Sequence, residues 1–404
     1  MALNSWQFLA LAASAVVLLT LTRGWIRTAI FLALNLAFVW TYWGAAAMPA
    51  GLAFVLLGYG ALRFVAGRGT AALAAALAIL TAAFIYLRGY TIGALSEPDR
   101  ATVALVAIAG LSFLFFKMIH VVVDVAGGTI PTISLDRYLN YCLNFTTVLM
   151  GPIQRFQDFN AQWDAPADSS FDVEAAVDAT NRVLRGLVKA FVLAPYLTPY
   201  VLKPGLPFDS MSGADLLLST YMFYIVLYLD FSGYCDIVIG VGSLMGVRPP
   251  ENFQFPFLAR NVSAYWLRVH RSLTQWLTDY IFAPSYHWAL SAGERAPHFV
   301  LLAGSLLLTM LVAGVWHGTT VNFVVFGLIH GVALVVMRGY EQGMTRWLGR
   351  ARFRRFQENW LTSAVAIFVT YNFTSLAYIF FALNVRDGVH VLGRLSSLAA
   401  RLVT

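Results

Sequence analysis

Two histidines in apolar surroundings are the residues best suited to acid–base chemistry. His317 lies in the segment Ala-Gly-Val-Trp-His-Gly-Thr-Thr-Val-Asn, between two long apolar runs. Burying an ionisable group there costs free energy that packing alone does not require, which marks a candidate functional site. Gly314 and Gly318 would let another backbone or a substrate approach closely. The alternative is a structural or proton-relay histidine that is hydrogen-bonded between helices.

The second histidine, His270, belongs to an amphipathic segment, Tyr265 to Tyr280. When each residue is placed 100° further around a helix axis, the polar residues lie on one arc and the apolar residues lie on the opposite side. The polar arc contains Arg268, Arg271, Ser272, Gln275 and Asp279, and the apolar side contains Trp266, Val269, Leu273, Trp276, Leu277 and Tyr280. This pattern predicts one interfacial or re-entrant helix with His270 directed into protein, where it is either an active-site residue or an ordinary core histidine.

Carboxylates and further histidines are weaker candidates. Asp230 and Asp236 flank Ser232 inside an apolar stretch, but without a Gly-x-Ser-x-Gly turn a serine nucleophile is not supported. Such carboxylates more often orient a histidine or cap a broken helix. On a straight helix His330 lies about 220° around from His317, so the two would not share a face.

The elements that carry these residues are membrane helices. The chain has 404 residues, of which 59% are hydrophobic and 12% charged, and its mean hydropathy is +0.70. Apolar runs near the 20 residues that a crossing needs recur along the chain. We therefore predict an all-α, polytopic transmembrane protein of about ten or eleven spanning or partly spanning helices, with re-entrant or interfacial helices around a central cavity. The candidate segments are 6–21, 26–47, 50–66, 71–88, 101–125, 139–152, 183–201, 214–246, 299–316, 319–338 and 361–383.

Cysteine content and charge exclude several function classes. Cys142 and Cys235 stand alone in apolar stretches, so neither a disulfide framework nor a thiolate metal site is predicted. The net charge of +7 is interpreted as orientation signals and contacts with lipid headgroups rather than as a nucleic-acid site. We expect membrane lipid as a partner, no nucleic acid and no resident metal.

Two polar segments suggest the orientation of the chain. An acidic stretch, which includes Asp158, Asp164, Asp168, Asp172, Glu174 and Asp178, has the composition of a solvated loop leading into a helix. Residues 338–355 contain six arginines and one acid, which predicts a cytoplasmic position. Counting spans backward from there places 260–295, with four arginines, on the cytoplasmic side as well.

Several blocks together resemble the membrane-bound O-acyltransferases. Within that family the similarity is to the bacterial branch that contains alginate O-acetyltransferases and the protein that passes D-alanine toward teichoic acids. The blocks occur in the family's order over roughly residues 140–385. They are Gly151–Phe156, Asp230–Tyr234, Pro250–Phe253 with Pro256–Phe257, Trp266–Tyr280, Gly314–Gly318 and Gly327–Gly331. One departure is Val269, which stands where the family commonly has a tryptophan before the histidine.

The resemblance implies roles for particular residues. His317 corresponds to the family's catalytic histidine and His270 to its second, more variable active-site residue. Asp230, Asn252, Asn322 and Trp316 are candidates for orienting the histidine or binding substrate. The donor is expected to be acetyl-CoA or the phosphopantetheine thioester of an acyl carrier protein, entering from the cytoplasm, with no permanently bound cofactor.

The resemblance also implies partners and a location. They are a cytoplasmic acyl carrier protein, a periplasmic acyltransferase or small membrane partner, and a place in the bacterial cytoplasmic (inner) membrane. We treat residues 1–404 as one membrane-embedded domain, divided into N-terminal helices (1–138), a family core (139–385) and a tail (386–404). Two alternatives remain: a proton-coupled transporter or channel that uses His317, His270 and Asp230 as a relay, although no internal repeat is evident, and an interaction scaffold.

Overall fold

The computed structural model describes residues 3–89, 110–164, 172–292, 296–318 and 320–403, with side chains to 397. Within these ranges the chain is helical and contains no strand, which confirms the all-α class. Asp168, Arg295, the start of the predicted span 101–125 and Thr319, the first residue of the predicted span 319–338, lie outside the described residues.

The described residues group into two compact units, one from 1–188 with 233–251 and one from 189–232 with 252–404. The α-helices of the described residues are α1 (Trp6–Leu21), α2 (Gly24–Val65), α3 (Thr70–Arg88), α4 (Leu111–Ala126), α5 (Leu135–Leu143), α6 (Phe156–Asp164), α7 (Val173–Val188), α8 (Ala194–Leu197), α9 (Gly213–Leu244), α10 (Val262–Trp266), α11 (Arg271–Leu277), α12 (Ala283–Ala292), α13 (His298–His317), α14 (Val321–Leu348), α15 (Arg350–Glu358), α16 (Trp360–Ala377), α17 (Ile379–Ala382) and α18 (Val385–Val403).

Six described helical segments are long and apolar enough to cross a membrane. They are α2, α3, α9, α13, α14 and Trp360–Ala382, while α1 is a shorter apolar helix. The chain is therefore a multi-pass membrane protein. The predicted spans 26–47 and 50–66 form one helix, kinked at Gly44, whose φ of 61° favours glycine. The acidic segment contains a helix of its own, α6, before α7 begins.

The predicted segment 139–152 is not one helix, because α5 ends at Leu143. The fully buried Lys117 of α4 explains this end. Its Nζ donates to the carbonyl oxygens of Tyr141 (2.9 Å) and Cys142 (3.4 Å) and to Thr147 Oγ1 (2.7 Å). A cation at the last turn stabilises helix carbonyls that have no partner within the helix. The chain then turns, and Phe145 N–H donates to Asn35 Oδ1 at 2.9 Å.

In the first unit, ion pairs tie helix α7 to the chain that follows α9. Arg182 donates to both carboxylate oxygens of Glu251, each at 2.5 Å, and to Asp236 at 3.0 Å. Arg248 donates to Glu251 at 2.8 Å. The hydrogen bonds from Arg182, with further ones from Arg248, lower the pKa of Glu251 from 4.5 to about 2.

In the second unit, α13 and α14 form a hairpin that crosses at two glycines. A Cβ added at Gly314 would lie 3.2 Å from the Cα of Gly327, and the reverse distance is the same. The close approach that was expected at Gly314 is thus made by another backbone, whereas a Cβ added at Gly318 would meet the ring of Phe323. Because helix–helix contact in a membrane depends on packing, small residues at this crossing hold the hairpin together.

The predicted single helix from Tyr265 to Tyr280 is wrong, because the chain breaks between Trp266 and Arg271. A neighbouring loop satisfies the backbone at the break. Gln254 N–H donates to the carbonyl of Arg268 at 2.9 Å, and Arg271 N–H donates to that of Asn252 at 3.0 Å. The predicted apolar residues are nevertheless buried or half-buried, and Gln275 and Asp279 are exposed. Ser272, predicted on the polar arc, is buried.

Candidate active site

His317 is the last residue of α13 and lies in an aromatic surround. Its ring centroid is 4.7 Å from that of Trp316 and 5.1 Å from that of Phe381. Phe323 and Phe326 of α14 lie at 6.4 Å and 6.1 Å. The side chain is half-buried. Because α13 ends here and α14 begins at Val321, His317 lies at the end of its helix next to the connection between the two helices.

His270 lies at the break between α10 and α11, in the left-handed backbone region (φ 44°, ψ 46°). A residue other than glycine adopts this conformation only where its surroundings enforce it, and such residues concentrate at functional sites. Its ring contacts Phe231 at 4.9 Å and Trp316 at 5.9 Å. Trp316 therefore contacts both His270 and His317. Burial, together with the charge of His317, lowers the pKa of His270 to about 3, which keeps its imidazole neutral at neutral pH.

Asn252 fixes the backbone next to His270. Its Oδ1 accepts hydrogen bonds from the N–H (3.1 Å) and hydroxyl (2.7 Å) of Ser272. Together with the bond from Arg271 N–H to its carbonyl, three groups of the α11 start are held by this one buried residue. These contacts favour the orienting role for Asn252 over direct substrate binding.

The other two polar candidates occupy different positions. Asn322 Nδ2 donates to the carbonyl of Phe380 at 3.0 Å, which ties the start of α14 to α17 one residue before Phe381. Asp230 is exposed on α9, next to Phe231 in sequence. The structure thus brings His317, Trp316 and His270 into one cluster, with Asn252 and Asn322 supporting it, and leaves Asp230 outside these ring contacts.

His330 is a residue that the sequence argument set aside. Its side chain is 0% exposed, and neither ring nitrogen has a hydrogen-bond partner among the described residues. Its ring lies 4.6 Å from Phe326 and 5.2 Å from Trp266, and Phe326 also contacts His317. The sequence signal for this arrangement is the glycine at position 318, because a helix break there places the two histidines on different helices, α13 and α14.

A cavity of about 780 Å³ in the second unit is lined in part by Trp266, whose ring contacts that of His330. Polar and charged side chains line one part of it, namely Arg338, Glu341, Gln342, Thr345, Arg346 and Arg350. Apolar residues that include Met310 and Leu334 line the rest. Trp266 and Ser263 also line the cavity, and Trp266 Nε1 and Ser263 Oγ have no hydrogen-bond partner among the described residues. The cavity therefore combines a cationic part, an apolar wall and polar atoms with spare hydrogen-bonding capacity.

In the described part of the chain, no group of three or more histidine, cysteine or acidic side chains is arranged to hold a metal ion. The chemistry available to the cluster is that of imidazole, indole and amide groups.

The family model described as MBOAT, membrane-bound O-acyltransferase family, matches residues 120–383. The chain is 26% identical to a teichoic acid D-alanyltransferase of Streptococcus thermophilus over 71% of each chain. It is 30% identical to a probable alginate O-acetylase of Pseudomonas syringae, over 62% of this chain and 48% of that protein. It is 29% identical to a peptidoglycan O-acetyltransferase of Helicobacter pylori, over 64% of this chain and 47% of that protein.

Proposed function

The chain belongs to the membrane-bound O-acyltransferase family, and we propose that it moves an acyl group from a cytoplasmic thioester to a hydroxyl of an extracytoplasmic polysaccharide or cell-wall polymer. Relatives named for acylating teichoic acid, alginate and peptidoglycan support this substrate class. Family membership decides between the acyltransferase and transporter interpretations in favour of the enzyme. The bacterial relatives support a place in the cytoplasmic membrane.

The observation that carries the proposal is the position of His317. It is half-buried at the end of a membrane helix, among rings that hold the imidazole in place. As general base, the imidazole takes the proton of the acceptor hydroxyl while that oxygen attacks the thioester carbonyl. The new carbon–oxygen bond forms, the carbon–sulfur bond breaks, and the imidazolium returns the proton to the leaving sulfur.

His270 serves this reaction in a different way. Because its pKa is lowered to about 3, it does not titrate near neutral pH. A neutral imidazole can still donate or accept one hydrogen bond. We assign it to holding substrate beside His317, with Trp316 between the two rings and Asn252 fixing the backbone next to it.

The cavity supports donor entry from the side of the arginines. Arg346 and Arg350 can bind phosphates, which both coenzyme A and a phosphopantetheine arm carry. The amide groups of the pantetheine arm need hydrogen-bond partners where they lie against the apolar wall of this cavity, and Trp266 Nε1 and Ser263 Oγ can provide them. This arrangement suits either donor, so both acetyl and D-alanyl transfer fit the site.

Labelled donor tests the proposal directly. Purified protein is incubated with labelled acetyl-CoA, or with a labelled aminoacylated carrier protein, in the presence of cell-envelope polymer, and the labelled product is identified by mass spectrometry. We expect label in an ester on the polymer or on an intermediate partner protein.

Replacing His317 gives the matched comparison. His317→Ala and His317→Gln should both abolish transfer while the protein remains folded and inserted, because neither side chain offers a basic nitrogen. His287→Ala, at an exposed histidine of α12, should retain activity. Near-normal transfer by His317→Ala would overturn the assignment.

A further inference from the structure

A groove of about 1150 Å³ opens between helices α14 and α16. Its walls are almost wholly apolar and include Leu328, Val332 and Val336 of α14 and Val365 and Val369 of α16. All five of these side chains are exposed. Both helices belong to candidate membrane spans, so the medium that meets this groove is the bilayer.

One charged residue lines the groove. Arg260, from the chain just before α10, is exposed and has no ion-pair partner among the described residues. Asn261 beside it adds a polar group, although its side chain already caps α10 by accepting from Ala264 N–H at 2.7 Å. An arginine at an apolar groove in a membrane protein matches a ligand with a hydrocarbon chain and an anionic group.

We propose that this groove is a binding site for one anionic bilayer phospholipid, with its phosphate at Arg260 and an acyl chain between α14 and α16. Phe373 forms part of the groove, and the same ring lies 5.5 Å from His330. A bound acyl chain therefore packs against Phe373, whose ring contacts His330. The proposal does not depend on which acyl group the enzyme transfers.

A transmembrane helix of a partner fits the groove less well. A crossing helix about 10 Å wide and 30 Å long occupies roughly 2400 Å³, about twice the groove. Tight helix pairs also place small residues on both faces. Here the α14 wall consists mainly of large or β-branched residues, while Gly327 and Gly331 of α14 face α13 instead.

Native mass spectrometry of the purified, delipidated full chain tests the site with two defined lipids, phosphatidylglycerol and phosphatidylethanolamine. The wild-type protein should retain one phosphatidylglycerol with about fivefold preference, since an arginine near a membrane surface contributes about 1 kcal/mol to anionic lipid binding. Arg260→Gln should remove this preference. Arg63→Gln, an exposed arginine on α2, should keep it.

A second pair of variants tests the groove itself. Val332 is 52% exposed in the groove, and Val17 of α1 is 53% exposed away from it. Val332→Trp should lose the retained lipid, because the larger indole obstructs the path of the acyl chain along α14, whereas Val17→Trp should keep it. Equal lipid retention by the two tryptophan variants, or equal preference in the two arginine variants, would refute the site. A photo-crosslink from position 332 to another protein in place of lipid would also refute it.

Native mass spectrometry measures lipid binding without requiring acyl transfer. Loss of acyl transfer in the His317 variants and loss of lipid in the Arg260 variant are therefore separate results, and failure of either proposal can be distinguished from failure of the other.

Discussion

In the proposed reaction His270 and His317 have different tasks, although a single tryptophan contacts both rings. His317 is half-buried at a helix end. His270 is buried, neutral and held in a strained backbone conformation by hydrogen bonds to its neighbours. Strain of this kind is maintained where position matters more than stability.

The division of tasks predicts unequal losses. His270→Ala should reduce acyl transfer by about 10- to 100-fold, because it removes a positioning hydrogen bond and leaves the base in place. Gln275→Ala, at an exposed position of α11, should change transfer little. Transfer per unit of inserted protein is compared in membranes that contain each variant. Equal effects of the two substitutions on acyl transfer would mean that His270 has only a structural role.

At the scale of the residue, the sequence identifies the two histidines as candidates but does not predict the contacts that support them. The flanking apolar runs are enough to single out His317. A loop that folds back across the break enforces the positive φ of His270 and brings Asn252 to the start of α11. The periodicity of residues 265–280 contains no information about that loop. The shared contact of His330 and His317 with Phe326 does not follow from a straight helix, because the two histidines lie on separate helices, α14 and α13.

At the scale of the element, the α13–α14 hairpin depends on its glycine crossing. The apolar runs predict both helices, but their closest approach depends on which residues meet, and that depends on tertiary packing. Gly314→Val places side-chain atoms against the backbone of α14, which cannot yield as a flexible side chain would. We expect destabilisation by about 3 kcal/mol.

A matched control lies on the same helix. Gly304 of α13 faces open space, with nothing within 4 Å of an added Cβ. Gly304→Val should therefore leave the thermal unfolding midpoint in detergent nearly unchanged, while Gly314→Val lowers it clearly. Similar midpoints for both variants would show that the crossing is looser than the structure indicates.

The ion pairs of Glu251 predict a pH dependence of stability. Because the folded-state pKa is lowered from 4.5 to about 2, the stabilisation is present above pH 4.5 and is lost as the pH falls toward 2. Thermal unfolding midpoints measured from pH 6 to pH 3 should fall more steeply for the wild-type protein than for Glu251→Gln, which lacks the titrating group. Parallel curves would mean that the carboxylate is not held by Arg182 in solution.

For the whole molecule, the orientation in the membrane decides from which side the donor enters. The six arginines in residues 338–355 predict a cytoplasmic position, and the cavity lined by Arg346 and Arg350 shares that end of the hairpin. Ala351→Cys, at an exposed position of α15, should react with a membrane-impermeant thiol reagent only after the cells are opened. Reaction in intact cells would reverse the proposed side of donor entry.

Two features make this labelling clear. Cys142 and Cys235 are both buried, so the background is low. Ser210→Cys, in an exposed loop before α9, lies at the opposite end of a span by the same counting and should react in intact cells.

Composition alone predicts a multi-pass helical protein, and the structure confirms it. The kink at Gly44 and the early end of α5 could not be predicted from the sequence. An apolar run indicates where a helix can form, but it does not indicate where contacts with another segment end or bend that helix. After α5, the chain is held by long-range hydrogen bonds such as the one from Phe145 N–H to Asn35 Oδ1.

The buried lysine of α4 has a consequence for biosynthesis. A lysine near the middle of an apolar helix costs about 2.5 to 3.5 kcal/mol on the scale of translocon-mediated insertion. The carbonyls that compensate Lys117 belong to Tyr141 and Cys142, 24 and 25 residues later in the chain. When α4 emerges from the ribosome, these partners are still inside the exit tunnel. We therefore expect that Lys117 becomes fully buried only after α5 has followed α4 and supplied these carbonyl oxygens.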